Sequence, residues 1–195
     1  MTRRPTQQIA CQQVLQQDNS VFSIQWTDLP AGLPLLDGQE LLQHYLRDIS
    51  RQTWGLVRPL VSDQRVTFAL AGRLPLLTFL PPEPVTRAEG DGLALRICGG
   101  WLVQPDQCER GELLLLTMSL PDGSQRITLR LADYCPLLLG SPRPSRLRRR
   151  LYRLTQAALH RLVTIRFLAR LYRRLAGPGA CIRTVPAAVR DGRMT

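Results

Sequence analysis

The chain has 195 residues, 44% hydrophobic and 21% charged, the proportions of an ordinary globular domain long enough to bury a core. Its formal net charge of +11 directs attention to anionic partners. No stretch approaches the roughly 18 apolar residues that a spanning helix needs, so a membrane-spanning helix is excluded.

All 26 basic residues are Arg, a uniform bias with no site of its own. Their distribution is more telling. Residues 1–133 carry 12 Arg against 14 acids, a net of −2, whereas residues 134–190 carry 13 Arg and no acid at all. The last five residues add Asp191 and Arg193, so the net positive charge belongs to the C-terminal third. Five cysteines (Cys11, Cys98, Cys108, Cys135 and Cys181) are widely spaced with no CxxC pair. They read as reduced intracellular thiols and offer no zinc framework. The start, MTRRPTQQIACQQ, lacks the apolar region of a signal peptide, so a cytoplasmic protein is expected, with peripheral membrane contact as an option.

In chain order, residues 1–17 are polar and Gln-rich, which predicts a flexible N-terminal segment. Val21–Trp26 alternates, with Phe22, Ile24 and Trp26 forming one apolar face, the pattern of a half-buried strand. A helix is predicted from Asp37, which stands three residues before Glu40 in the capping-box pattern. Leu41, Leu42, Tyr45, Leu46 and Ile49 form its core stripe, with Trp54 as an extension and Gly55 and Pro59 as terminators. From Arg65 the pattern turns to sheet, in the runs RVTFALAG, LPLLTFL, GLALRICGGWLV, GELLLLTMSL and QRITLRLADY. Pro81 and Pro82 stop the second run, and Gly99-Gly100 marks a bend. Pro121-Asp122-Gly123-Ser124 is the clearest turn.

A stiff Pro-rich linker over 135–144 leads to Ser145, a good N-cap. Beyond it, Leu147, Leu151, Leu154, Ala158, Leu162, Ile165, Ala169, Tyr172 and Ala176 recur at steps of three and four. That spacing predicts one long amphipathic helix over 145–176, ended by Gly177-Pro178-Gly179. The domain reading is a flexible segment over 1–17, a single α+β domain over 18–177 and a patternless tail over 178–195. In fold class this is a curved antiparallel sheet packed against a long C-terminal helix, with one shorter N-terminal helix.

No catalytic signature stands out, which points away from an enzyme. His44 and His160 are isolated helical histidines, Thr117-Met118-Ser119 has no visible base, and Cys135 precedes a proline. No cofactor and no metal is called for. The Arg clusters are the stronger signal: Arg146, Arg149, Arg150 and Arg153 in the first turns of the long helix, and Arg166, Arg170, Arg173 and Arg174 in the last. Arg near a helix N-terminus opposes the dipole, so something outside the helix is expected to use it, whether an acidic surface of the first 133 residues or an external anion.

The order of short strand, helix, strand series with a Gly99-Gly100 bend, and long last helix resembles the helix-grip arrangement of START-like, polyketide-cyclase-like proteins. The resemblance implies a sheet wrapped around the last helix and enclosing a cavity for an apolar ligand. On that reading a hydrophobic or amphiphilic small molecule binds between sheet and helix, with Trp101, Leu115, Ile127, Leu129, Leu162 and Ile165 as candidate lining residues. The alternative is a binding module whose Arg-rich helix docks on an anionic membrane surface or on nucleic acid, with Tyr152, Phe167 and Tyr172 available for stacking.

Overall fold

A computed structural model describes residues 6–105, 110–140 and 145–194, and the strand runs account for most of it. Eleven strands form one open sheet: β1 (Thr6–Leu15), β2 (Val21–Leu29), β3 (Val57–Ser62), β4 (Arg65–Leu70), β5 (Leu74–Phe79), β6 (Glu83–Arg87), β7 (Gly90–Gly99), β8 (Glu112–Ser119), β9 (Gln125–Tyr134), β10 (Cys181–Pro186) and β11 (Arg193–Met194). The order across the sheet is β10-β1-β2-β9-β8-β7-β5-β4-β3, with β11 beside β1 and β6 beside β7. Pairing is antiparallel except between β1 and β10, which run parallel. The molecule is therefore α+β, with helix α1 (Gly38–Gln52) between β2 and β3 and a long helical segment after β9.

Helix α1 begins as its sequence predicts. The Glu40 amide donates to Asp37 Oδ1 at 2.8 Å, and Glu40 Oε2 accepts from the Asp37 amide at 3.2 Å. Such a cap is worth about 1 kcal/mol. The helix stops short of Trp54, which takes φ 57° and is 96% exposed. Thr53 ends it, its hydroxyl donating to the Ile49 carbonyl at 2.9 Å. Pro59 lies within β3 rather than at a helix end, a strand the sequence pattern missed because VRPLVS alternates weakly.

Prolines 81 and 82 do interrupt the ladder, but β6 resumes beyond them along the same partner, β7. At the expected bend the register shifts opposite Gly99, and Gly100 takes φ 121°. A Cβ there would lie 2.4 Å from the Leu76 carbonyl oxygen, so β5 can approach only a glycine.

Both ends of the chain depart from expectation. The Gln-rich segment forms β1, which pairs with β2, β10 and β11; residues 1–5 lie outside the described part. The tail that looked patternless supplies β10 and β11. Glutamines can be buried here because each finds a partner on another segment. The Gln12 carbonyl accepts from the amides of Val189 at 2.7 Å and Arg190 at 2.9 Å, and its amide donates to the Arg190 carbonyl at 2.6 Å. Arg190 also stands 5.1 Å over the Phe22 ring, while Arg126 of β9 stands 5.8 Å over the Trp26 ring on the same face of β2. The opposite face of β2 holds Val21, Ser23, Gln25, Thr27 and Leu29, all buried, so this strand is covered on both sides.

The linker adds a 3-10 turn at Leu137–Leu139; residues 141–144 lie outside the described part. Ser145 caps the helical segment, its Oγ accepting from the Arg148 amide at 3.3 Å. The segment is not uniform: α2 (Arg146–Tyr152) passes through a π turn (Arg153–Ala157) into α3 (Ala158–Ala176). Thr155 Oγ1 donates to the Leu151 carbonyl at 2.6 Å, drawing that acceptor away from the regular ladder. A π turn inserts one extra residue and so rotates everything before it relative to everything after. The buried positions accordingly step from Tyr152 to Ala157, then to Thr164, Phe167, Leu168, Leu171 and Tyr172. Burying Phe167 or Leu168 contributes about 2–3 kcal/mol each, which fixes this face inward. The stripe expected from spacing is corrected: Leu147, Leu151, Leu154 and Leu162 are all exposed.

Candidate functional site

Where α1 and α3 meet the β4–β5–β7–β9 part of the sheet, the packing leaves a cavity of about 140 Å³. Its walls are apolar. Tyr45 from α1 stacks edge-on to Phe68 and Phe167 at 6.4 and 5.2 Å, and Phe68 to Phe79 at 5.1 Å. Leu77, Ile97, Leu113 and Leu131 complete the sheet side, with Ile49 and Val163 from the helices. Tyr134 reaches the cavity from the end of β9 while its hydroxyl donates to the Leu102 carbonyl at 2.7 Å. Burial pushes the Tyr45 and Tyr134 phenols well above their usual range, so both stay neutral.

Two polar side chains interrupt this apolar wall. Gln156, in the π turn, and His160, one turn into α3, both line the cavity. The amide nitrogen and oxygen of Gln156 and Nε2 of His160 are buried, and none has a hydrogen-bond partner among the described residues. His160 keeps a partly exposed edge, but burial of its ring nitrogen pushes its pKa down from 6.5 to about 4, so it is a neutral imidazole at neutral pH. Gln156 lies in the π turn and His160 four residues on in regular α3, so the two share a helix edge that faces the cavity, with Leu159 beside them. Gln13 of β1 holds this turn against the sheet, its amide donating to the Ala157 carbonyl at 3.4 Å and its side chain also bonding the buried Tyr152 hydroxyl.

Outside the cavity runs a surface groove of about 650 Å³, almost wholly apolar, between Trp101, the 137–138 turn and the outer edge of the helix. Leu76, Leu102, Gln156 and Leu159 line both spaces, so groove and cavity share a wall.

The candidate lining residues separate into three groups. Trp101 and Leu162 are brought together in the outer groove. Ile165 lies with Leu162 beside a shallow pocket that also includes Gln13, Arg153 and Arg161. Leu115, Ile127 and Leu129 are fully buried in the main core and line neither space. Sequence reasoning missed Tyr45, Phe68, Phe79, Tyr134, Gln156 and His160 as a set. The available signal was the pair Gln156 and His160 at helical i, i+4 spacing, but the leucine stripe beside them is more apolar and dominates the pattern.

Of the Arg candidates, Arg146, Arg150, Arg153, Arg166 and Arg173 are exposed, and the Arg149 side chain lies outside the described part. Arg170 and Arg174 are engaged within the fold. Arg170 Nη1 donates at 3.1 Å to Oδ1 of Asp48, a carboxylate only 4% exposed, and Gln52 donates to the other oxygen. Arg174 Nη1 pairs at 2.9 Å with Nδ1 of His44, whose pKa is pushed down by burial and by the Arg174 and Arg47 charges. The aromatics that could have stacked on bases, Tyr152, Phe167 and Tyr172, are all buried.

Among the described residues no cluster of His, Cys, Asp and Glu could hold a metal ion, and no helix is long and apolar enough to cross a membrane. Cys135 is buried, and burial raises its pKa, which disfavours the nucleophilic thiolate. A scan against protein-family models finds no match, and comparisons with curated proteins and with solved structures likewise find none.

Proposed function

We propose that the protein binds a small apolar or amphiphilic molecule between its sheet and its C-terminal helix, without chemistry on it, as a cytoplasmic carrier or sensor. The observation that carries this reading is an apolar cavity lined in part by Gln156 and His160, three of whose side-chain polar atoms are buried with no hydrogen-bond partner among the described residues. A buried polar atom without a partner destabilises a fold by about 1–3 kcal/mol, and a ligand head group that pairs with it recovers that energy. The size limits the occupant: 140 Å³ is close to the roughly 150 Å³ that accommodates a benzene-sized group. The head group is neutral, a hydroxyl or amide, because the imidazole is neutral and the walls are apolar. The rest of an amphiphile extends past Leu159 into the outer groove. The reading is in keeping with the expectation from the helix-grip resemblance, that an apolar ligand lies between the sheet and the last helix.

Thermal-shift titration with benzyl alcohol, benzamide and toluene tests the proposal. Each polar probe at a hundredfold excess over its Kd stabilises the protein by about 2.7 kcal/mol, and toluene at the same concentration stabilises it less. Gln156→Leu with His160→Leu removes the difference between polar and apolar probes, and Leu77→Phe removes binding of all three. Absence of any shift, or shifts that Leu77→Phe leaves intact, rejects the cavity as a binding site.

A further inference from the structure

The outer edge of the helical segment and the loop at Trp101 form an apolar face that the described residues do not cover. Leu154 is 77% exposed, Trp101 60% and Leu159 53%, and these three lie in one groove with Leu162. Leu151, also exposed, lies one helical turn before Leu154. A contiguous surface of this kind is uncommon on a free-standing protein and marks a docking site. The charges flanking it on the helix are of one sign. Arg150, Arg153 and Arg161 are exposed, the latter two beside Leu162, and no acid occurs between residues 134 and 190.

We infer that this face docks on an anionic lipid bilayer, with Trp101 and the leucines at the acyl boundary and the arginines at the phosphate level. An apolar helix edge with Arg beside it and Trp at its border is the pattern of an interfacial helix. Charge complementarity decides the occupant. A symmetric dimer through the same face would set like Arg rows against each other, whereas a bilayer containing acidic lipids offers the opposite sign along the whole edge. Single-stranded nucleic acid would need a series of exposed aromatics, and Tyr152, Phe167 and Tyr172 of the helix are buried, which leaves Trp101 alone in the groove to stack on a base. The groove shares Leu76, Leu102, Gln156 and Leu159 with the cavity, so docking would place the cavity wall at the lipid surface. The docking inference does not depend on cavity binding.

The test is co-sedimentation of the full chain with vesicles of phosphatidylcholine alone and of phosphatidylcholine mixed with phosphatidylglycerol, at low and high salt. The protein sediments with the mixed vesicles, less at high salt, and Trp101 emission shifts to the blue in a Trp26→Phe, Trp54→Phe background. Arg150→Ala with Arg153→Ala weakens partitioning about thirty-fold, roughly five-fold for each residue. Leu154→Asp with Leu159→Asp abolishes it while leaving the unfolding transition in place. Three results overturn the inference: no sedimentation with acidic vesicles, equal binding to neutral ones, or binding that survives Leu154→Asp with Leu159→Asp. Dimerisation in size-exclusion chromatography that the same double variant abolishes assigns the face to a second copy instead. Leu77→Phe, which fills the cavity, leaves vesicle binding unchanged, so failure of the cavity reading and failure of this one are told apart.

Discussion

His160 places a titratable group in the cavity wall, where folding acts on it. Its folded pKa of about 4 lies below the unfolded value of 6.5, so folding favours the neutral ring. Above the unfolded value neither state binds the proton. As pH falls between those values the unfolded chain takes up a proton that the folded chain refuses, and stability declines through that window, by roughly 2 kcal/mol after allowance for the exposed ring edge. Urea midpoints measured at pH 7 and at about pH 4.5 check this. The wild-type protein loses stability between them, and His160→Leu loses less. His44 is depressed in the same direction, so it keeps part of the acid response in the variant. None of this was legible in the sequence, where an isolated helical His reads equally as packing or solvent. Burial of one ring nitrogen depends on which face of α3 packs inward, the one that also carries Thr164, Phe167 and Leu168.

At the level of elements, α1 and α3 are joined by a polar clamp as well as by the Tyr45–Phe167 contact. Asp48 is buried on α1 and Arg170 reaches it from α3, while Gln52 bonds both Asp48 and the Val163 carbonyl at 3.0 Å. Removing Arg170 leaves a buried carboxylate without its countercharge. Arg170→Ala is expected to destabilise the protein by about 3 kcal/mol, and Arg166→Ala, fully on the surface, by less than about 0.5 kcal/mol. Chemical denaturation of the two variants separates them. The Asp37–Glu40 cap and the Gly100 bend could be read directly, because each is a local rule satisfied by adjacent residues. The leucine stripe could not. For Leu147, Leu151 and Leu154 the unbroken period of 3.6 fails at the π turn between Arg153 and Ala157, which no proline or glycine announces, while Leu162, beyond it in regular α3, is exposed because the buried face runs through Thr164, Phe167, Leu168 and Leu171.

Taken whole, the fold class and most of the strands followed from alternation and turn chemistry, while the two ends of the chain did not. Gln-rich sequence reads as solvent-facing until a partner elsewhere is known, and Gln12 finds its partner 178 residues away at Arg190. That clasp has a measurable role. Gln12→Leu removes three hydrogen bonds to residues 189 and 190, which water then satisfies, at a cost of about 1–2 kcal/mol in stability. Hydrogen exchange reads the change as faster exchange at the Val189 and Arg190 amides and at β10, with β8 and β9 unaffected.

The parallel pairing of β1 with β10 also sets an order of assembly. The β2–β9–β8–β7 core can form without the last fifteen residues, whereas β1 has its second neighbour only when residues 181–186 arrive. Contacts so distant along the chain return energy only after the intervening loop has closed, so they form late. Until then β1 presents a row of bare N–H and C=O groups to any other strand it meets. The risk of misassociation is thus concentrated in time, between the completion of the central sheet and the moment the chain's two ends come together.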